Sequence, residues 1–166
     1  MSAVDKPSSR TLQASYLWKA IAGALGGALA VGVMELLSAG GAYPLFAIPF
    51  ATSIVLVMGA PEAEPAQPRE LIGGHLVSAL VGFAVLAVVG PGAWAAAAAV
   101  GLAILAMHLT RTFHPPAGID PLIIVVNAMP WTFLFVPVAA GAVLLALFAL
   151  AWHNMLRRGS WPARWW

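Results

Sequence analysis

Four stretches of the chain stay apolar long enough to cross a bilayer as helices: residues 20 to 39, 71 to 90, 93 to 112 and 132 to 153. About 20 residues at roughly 1.5 Å each cover the ~30 Å hydrocarbon core. Between them lie two shorter apolar stretches, 44 to 59 (PLFAIPFATSIVLVMG) and 117 to 129 (AGIDPLIIVVNAM). Each is opened by prolines, which remove backbone donors and deter a continuous helix, so the pattern predicts half-helices there. The order long, short, long then repeats. An ungapped overlay of 49 to 58 on 115 to 124 matches Pro49 with Pro115, Ala51 with Ala117 and Leu56 with Leu122. The expected fold is an all-α integral membrane bundle of four long spans and two short broken helices. Its pseudo-symmetric halves, 19 to 90 and 91 to 155, would be inverted because each holds three segments.

Polar positions set the orientation. Every Lys and Arg falls in the two ends, in the loop 60 to 70 (APEAEPAQPRE) or in the stretch 109 to 114 (LTRTFH). The turns SAGGAY, GPGA and MPW on the other side hold no charge. The positive-inside tendency therefore predicts six crossings with both termini cytoplasmic. Tyr16, Trp18 and Trp152 would mark the inner interface, and Tyr43, Trp94 and Trp131 the outer one. Re-entry of the two short segments would give four full spans and carry Arg69 and Arg111 outside, against that tendency. Residues 1 to 18 are expected to be a polar lead-in and 156 to 166 a tail, with no soluble domain after the last span. Small residues spaced by four, Gly23 with Gly27 and Gly74 with Ser78 and Gly82, predict close helix contacts in lipid.

Composition agrees with a membrane chain. Hydrophobic residues make up 61% and charged residues 8% of the 166, with a mean hydropathy of +0.91. The absence of cysteine excludes disulfides and thiolate chemistry. The net charge of +2 comes mostly from the two ends, so no basic patch on a soluble fold points to nucleic acid.

Two motifs, APEAEPAQPRELIGGHLVSALVG and LTRTFHPPAG, resemble those of the HPP family of integral membrane proteins, whose tripeptide stands here as His114, Pro115 and Pro116. The likeness runs from about residue 17 to 150. It implies a small bundle usually described as four-spanning and, from plastid and cyanobacterial members, nitrite transport; some relatives carry a soluble regulatory domain after the bundle. Two positions depart from the family pattern. Asp120 follows the glycine where small uncharged residues are usual, and Ala51-Thr52-Ser53 stands where a glycine-alanine-serine step is common.

The stretch RTFHPPAGIDPLI, 111 to 123, places an arginine, a histidine, an aspartate and three prolines between apolar runs. A half-helix that begins inside the membrane leaves unpaired N–H groups and a partial positive charge at its first turn, and an anion satisfies both. Candidate anion-binding residues are therefore Thr52 and Ser53 at one start, and His114, Pro115, Pro116, Ala117 and Gly118 at the other. The two starts converge only if the prolines push them inward.

Around these lie further candidates. His114 would donate to an anion or carry a proton; its structural alternative is a bond to a backbone carbonyl that fixes the proline turn. Arg111 and Arg69 would draw anions into a vestibule, or anchor the interface. His75 would line the same path or bond helix to helix. Glu35 and Asp120 are candidates for proton coupling, since charge in lipid is costly, although Glu35 is close enough to the outer interface to reach it. Asp120 and Asn127, seven apart, would share a face turned from lipid. His108 and His153 are expected to pack or lie at the interface.

No i, i+4 histidine pair, no Ser-His-Asp order and no phosphate loop is seen, which argues against an enzyme, a metal site or a cofactor. The expectation is a carrier or channel for a small inorganic anion in a bacterial cytoplasmic membrane, working as a homo-oligomer. The alternatives are a membrane scaffold or sensor subunit, or a haem- or metal-binding membrane subunit.

Overall fold

The computed structural model describes residues 9 to 39 and 48 to 165. The turn with Tyr43, expected at the outer interface, and the opening of the first short segment lie outside the described residues. Six α-helices follow in order: α1 (Ser9–Ala39), α2 (Ala51–Gly59), α3 (Pro68–Val89), α4 (Ala93–Leu109), α5 (Ile119–Val126) and α6 (Ala140–Leu156). Among the described residues three helical stretches are long and apolar enough to cross a membrane: Ser15–Ser38, Pro68–Val89 and Leu134–Leu156. The last includes a distorted turn, Leu134–Ala139, that holds Pro137 and a non-helical Val136.

The expected fourth long span, 93 to 112, stops at Leu109, leaving 17 residues. The Thr110 hydroxyl bonds the carbonyls of Ala106 and Met107, and Arg111 takes a φ of +56°, so the chain turns away at Thr110. At the other end of the bundle, Gly90 (φ +86°) and Gly92 (φ +154°) flank Pro91 and turn α3 into α4 in conformations that a side chain would resist. Helix α1 begins at Ser9, so the second half of the predicted lead-in is helical.

Both short segments share one build. A tight turn of 3₁₀ helix, Ile48–Phe50 in one and Pro115–Gly118 in the other, precedes nine residues of α2 or eight of α5. The prolines at 49, 115 and 116 suit such starts because their missing N–H groups would have no partner in a first turn. The two helices run in opposite directions. Pairs along the α3 contact rise together, Gly74 beside His114, Ser78 on the Ala117 carbonyl and Gly82 beside Pro121, so α5 is parallel to α3. Helix α2 ends where the 60 to 67 turn enters α3, and Ser53 meets His75, so it is antiparallel to α3.

The small-residue pattern explains the packing. A Cβ on Gly74 or Gly82 would strike His114 or Pro121, so the stripe that includes Ser78 is the bed on which 112 to 124 lie. Gly23 faces the backbone of Met58, Gly27 faces Ile54 and Gly26 seats the Trp152 ring, which joins α1 to α2 and α6. A core of Met34, Phe50, Ile54, Val57, Leu71, Leu145 and Trp161 fills that side, while Phe83, Ile124, Phe133 and Val138 form a second core along α3 and α5. Tyr16, Trp18, Trp94 and Trp131 stay exposed.

The 60 to 67 turn and the carboxy-terminal segment pack on each other. Gln67 donates to the Pro61 and Ala63 carbonyls and accepts from the Ala163 N–H, and the Trp161 indole donates to the Ala66 carbonyl. Arg164 pairs with Glu64 (2.6 Å) and Glu70 (2.9 Å). Since Arg69 also reaches the Thr110 carbonyl (3.3 Å), the loop, the 110 to 114 stretch and the chain's last described residues share one end of the bundle.

Gly82→Leu should lower stability in detergent by about 1–3 kcal/mol, because the new side chain must displace Pro121. Gly101→Ala, where a Cβ meets nothing within 4 Å, should instead be neutral or stabilise by up to about 1 kcal/mol. Thermal unfolding of both purified variants checks the contrast.

Candidate functional site

Where α2, α3 and the start of α5 meet, four polar side chains are buried in one line. Ser53 and His75 are 0% exposed, as are His114 and Asp120. Asp120 Oδ2 lies 2.8 Å from His75 Nδ1, and His75 Nε2 lies 2.8 Å from Ser53 Oγ. Ser53 Oγ is also 2.9 Å from His114 Nε2, whose Nδ1 is 2.6 Å from the Pro65 carbonyl. The Phe50 ring tilts against His75 with centroids 4.5 Å apart and closes one side. His75 is seven residues into α3 from Pro68, so the line sits roughly 10 Å inside the charged end of the bundle.

Each member is where local structure puts it. Ser53 falls in the first turn of α2, after the proline-broken Ile48–Phe50 turn. Gly73 and Gly74 precede His75 and leave space for the backbone of Thr112 to His114 to lie against α3. His114 is held extended (φ −123°, ψ 95°), as a residue before proline prefers, and this turns its ring toward α2. Ser78 donates to the Ala117 carbonyl at 2.7 Å, which fixes the turn that delivers Asp120 to His75.

Of the residues predicted from sequence, the fold gathers His114, Ser53, His75 and Asp120, with Pro116, Ala117 and Gly118 forming the turn between them. Thr52 and Pro115 are exposed on the same short segments and do not enter the line. Arg111 is exposed at the charged end, where Arg69 ties α3 to the end of α4. Glu35 is exposed beside Leu29, Gly32, Val33 and Leu36 on the half of α1 away from the charged end. It lies eight residues, or about 12 Å, beyond Gly27, which packs at the level of Ile54. The Asn127 expectation is corrected: α5 ends at Val126, and Asn127 is exposed, folding its amide onto the Ile123 carbonyl. His108 stacks on Phe113, and His153 bonds the Val57 carbonyl at 3.0 Å.

The expectation that no Ser-His-Asp order exists is also corrected. Ser53, His75 and Asp120 occur in that order and meet in that sequence of contacts, brought together across gaps of 22 and 45 residues. Their surroundings differ from a hydrolytic site, since the Ser53 hydroxyl is fully enclosed and shared with a second imidazole. No group of three or more His, Asp or Glu side chains among the described residues is arranged to hold a metal ion.

The family model for the HPP transmembrane region matches residues 9 to 162, nearly the whole chain. The chain belongs to the HPP family. This HPP protein is an integral membrane protein. It is 45% identical over 125 residues to one transmembrane protein of Dictyostelium discoideum and 42% identical over 125 residues to another. Those alignments cover 70% of this chain but 40% and 44% of the relatives, so the chain spans less than half the length of the curated proteins it matches. No solved structure matches.

Ser53→Ala removes the group that joins the two imidazoles and leaves two buried ring nitrogens without a partner. A loss of about 1–3 kcal/mol is expected, read as a lower melting temperature in detergent. Thr52→Ala, on the exposed neighbour, should stay within about 0.5 kcal/mol.

Proposed function

We infer that this HPP protein carries a small monovalent anion across the membrane, with nitrite first because of the family resemblance. One observation carries the inference: the starts of two broken helices meet at Ser53 and His114, about 10 Å inside the charged end. Backbone N–H groups of such first turns, with the partial positive charge they create, favour an anion where no water can serve them. The Ser53 hydroxyl and His114 Nε2 now bond each other. An anion that enters between them exchanges one mutual bond for two charge-assisted ones, from the Ser53 O–H and, once the ring is protonated, from His114 Nε2–H. The opposed directions of α2 and α5 suit two inverted halves that open alternately to either side.

The charged end is taken as cytoplasmic, by the positive-inside tendency. Arg69 and Arg111 stand there to raise the local anion concentration. A homo-oligomer belongs to the same inference: α1 turns Leu25, Leu29 and Leu36 outward around Gly32, a face that admits a second copy. A scaffold or sensor subunit would fit the fold equally, and flux separates it from a carrier.

In reconstituted vesicles, uptake of nitrite, nitrate, formate and chloride is compared with protein-free controls, and at least one anion should move faster with protein. His114→Ala should lower that flux about tenfold, equivalent to about 1.4 kcal/mol, with folded protein verified by gel filtration. His114→Gln should keep part of the flux if the ring serves only as a donor. Equal flux in native and Ala proteins would return His114 to a purely structural role.

Topology gives a separate check. A reporter inserted after Pro65 should report the cytoplasm, as should reporters fused at both ends. An outside signal at 65 would sink the inverted-repeat arrangement.

A further inference from the structure

We propose that Asp120, His75, Ser53 and His114 form a proton relay that holds one transferable proton and moves it across the membrane with the anion. The proposal rests on the transport inference above and adds the second transported species.

The reason is a count of protons. Four contacts link five groups: Asp120 to His75, His75 to Ser53, Ser53 to His114, and His114 to the Pro65 carbonyl. Each hydrogen bond contains one proton, and the carbonyl can only accept, so His114 Nδ1 carries N–H. Two neutral imidazoles and one hydroxyl bring three protons, and an ionised carboxylate brings none. Four bonds need four. The line as it stands therefore holds one proton more than these groups in their ordinary states near neutral pH, and its net charge is zero. That removes the objection that a carboxylate beside the site would repel an anion.

The extra proton has alternative homes along the line. With Asp120 protonated, its O–H donates to His75 Nδ1, His75 Nε2–H donates to Ser53, and the Ser53 O–H donates to His114 Nε2. Three short transfers in the same direction, over 2.8, 2.8 and 2.9 Å, then give an Asp120 carboxylate and a His114 imidazolium. Every bond survives with its direction reversed, except that His114 Nδ1–H still donates to Pro65. Four protons are present before and after, and one unit of positive charge has passed from α5 through α3 and α2 to the turn at the charged end.

Both ends of the line are suited to exchange. Asp120 Oδ1 is buried with no partner among the described residues, which leaves an acceptor at the inner end. At the other end the Pro65 carbonyl only accepts, so the transferable proton leaves the His114 imidazolium from Nδ1 to water at the charged end, in a turn where Glu62 is exposed and Glu64 pairs with Arg164. Other charged or titratable groups on the packed elements are engaged elsewhere. On α3, Glu70 pairs with Arg164 and Arg69 bonds the Thr110 carbonyl. His153 on α6 bonds Val57, and His108 on α4 stacks on Phe113. When the proton leaves, three protons face four contacts, and one contact must set two lone pairs against each other. That contact opens. Proton release thereby loosens the junction of α2, α3 and the 114 to 120 segment at the place where the anion would bind.

The test uses the native protein in vesicles with a pH-sensitive dye inside, with nitrite, nitrate, formate and chloride each supplied outside. Protein-free vesicles run beside them, because weak acids cross unaided. The expected result is uptake above control that rises as the outside is acidified, by up to about tenfold per pH unit, with one proton entering per anion. In Asp120→Asn the amide still donates to His75 Nδ1 and all four bonds remain, but nothing at that end ionises. Any remaining uptake should then ignore the pH difference and leave the dye unchanged, with melting temperature confirming the fold.

Anion uptake by the native protein that is indifferent to pH and carries no proton overturns the relay and leaves the transport inference standing. An Asp120→Asn protein still driven by the pH difference also overturns the relay. Proton entry without any of the anions overturns the anion inference and, with it, the coupling of the proton to an anion. No movement of either through folded native protein overturns both.

Discussion

One hydroxyl, that of Ser53, is shared by two buried imidazoles, and the arrangement of the bundle's charged half follows from keeping it so. A hydroxyl has one proton to give and lone pairs to receive, so it can join two ring nitrogens when one of them carries N–H. Without it, His75 and His114 would each present a bare polar edge to the other in a place where water is scarce. An unmade bond of that kind costs about 1–3 kcal/mol in a protein interior and more in hydrocarbon. The position of Ser53 is set by the break before α2, that of His114 by the prolines after it, and that of His75 by the start of α3 at Pro68. Three separate helix starts thus have to agree on the location of a single oxygen atom.

Close approach makes this agreement possible. Helix α3 offers Gly74, Ser78 and Gly82 on one face, and the 112 to 124 segment lies along them so tightly that a single methyl at either glycine would strike its neighbour. Lipid supplies no hydrophobic drive between helices, so intimate contact and cross-helix hydrogen bonds carry the association instead. Ser78 contributes both: it is small, and its hydroxyl holds the Ala117 carbonyl. The packing surface and His75, the member of the polar line that α3 supplies, are therefore neighbours on one helix.

Much of this was legible in the sequence because it is periodic or local. The four-residue spacing of small side chains marked the α3 face, and prolines 49, 115 and 116 marked the two broken segments. The end of α4 was not legible. Leu109-Thr110-Arg111 contains no glycine or proline, and the helix stops through a threonine hydroxyl turning back on its own backbone and an arginine with positive φ. The four members of the site were each visible as polar residues in apolar surroundings, but their order of contact was not. The Ser53 to His75 and His75 to Asp120 pairs join positions 22 and 45 apart, and one sequence holds no measure of distance between segments. The carboxy-terminal residues misled for another reason: arginines and tryptophans suit a solvated interface, and only the fold reveals that Trp161 is enclosed under the 60 to 67 turn.

That turn faces two ways within three consecutive residues. Pro65 offers its carbonyl to His114, while Ala66 and Gln67 hold Trp161 and Ala163. A rigid lever results, one peptide unit long, with the buried histidine on one arm and the carboxy-terminal segment on the other. Strain applied to that segment, whether by a tether, a binding domain or a neighbouring subunit, would be felt at the ring of His114 through this turn as well as at α6 and α3, which Trp161 and Arg164 touch directly.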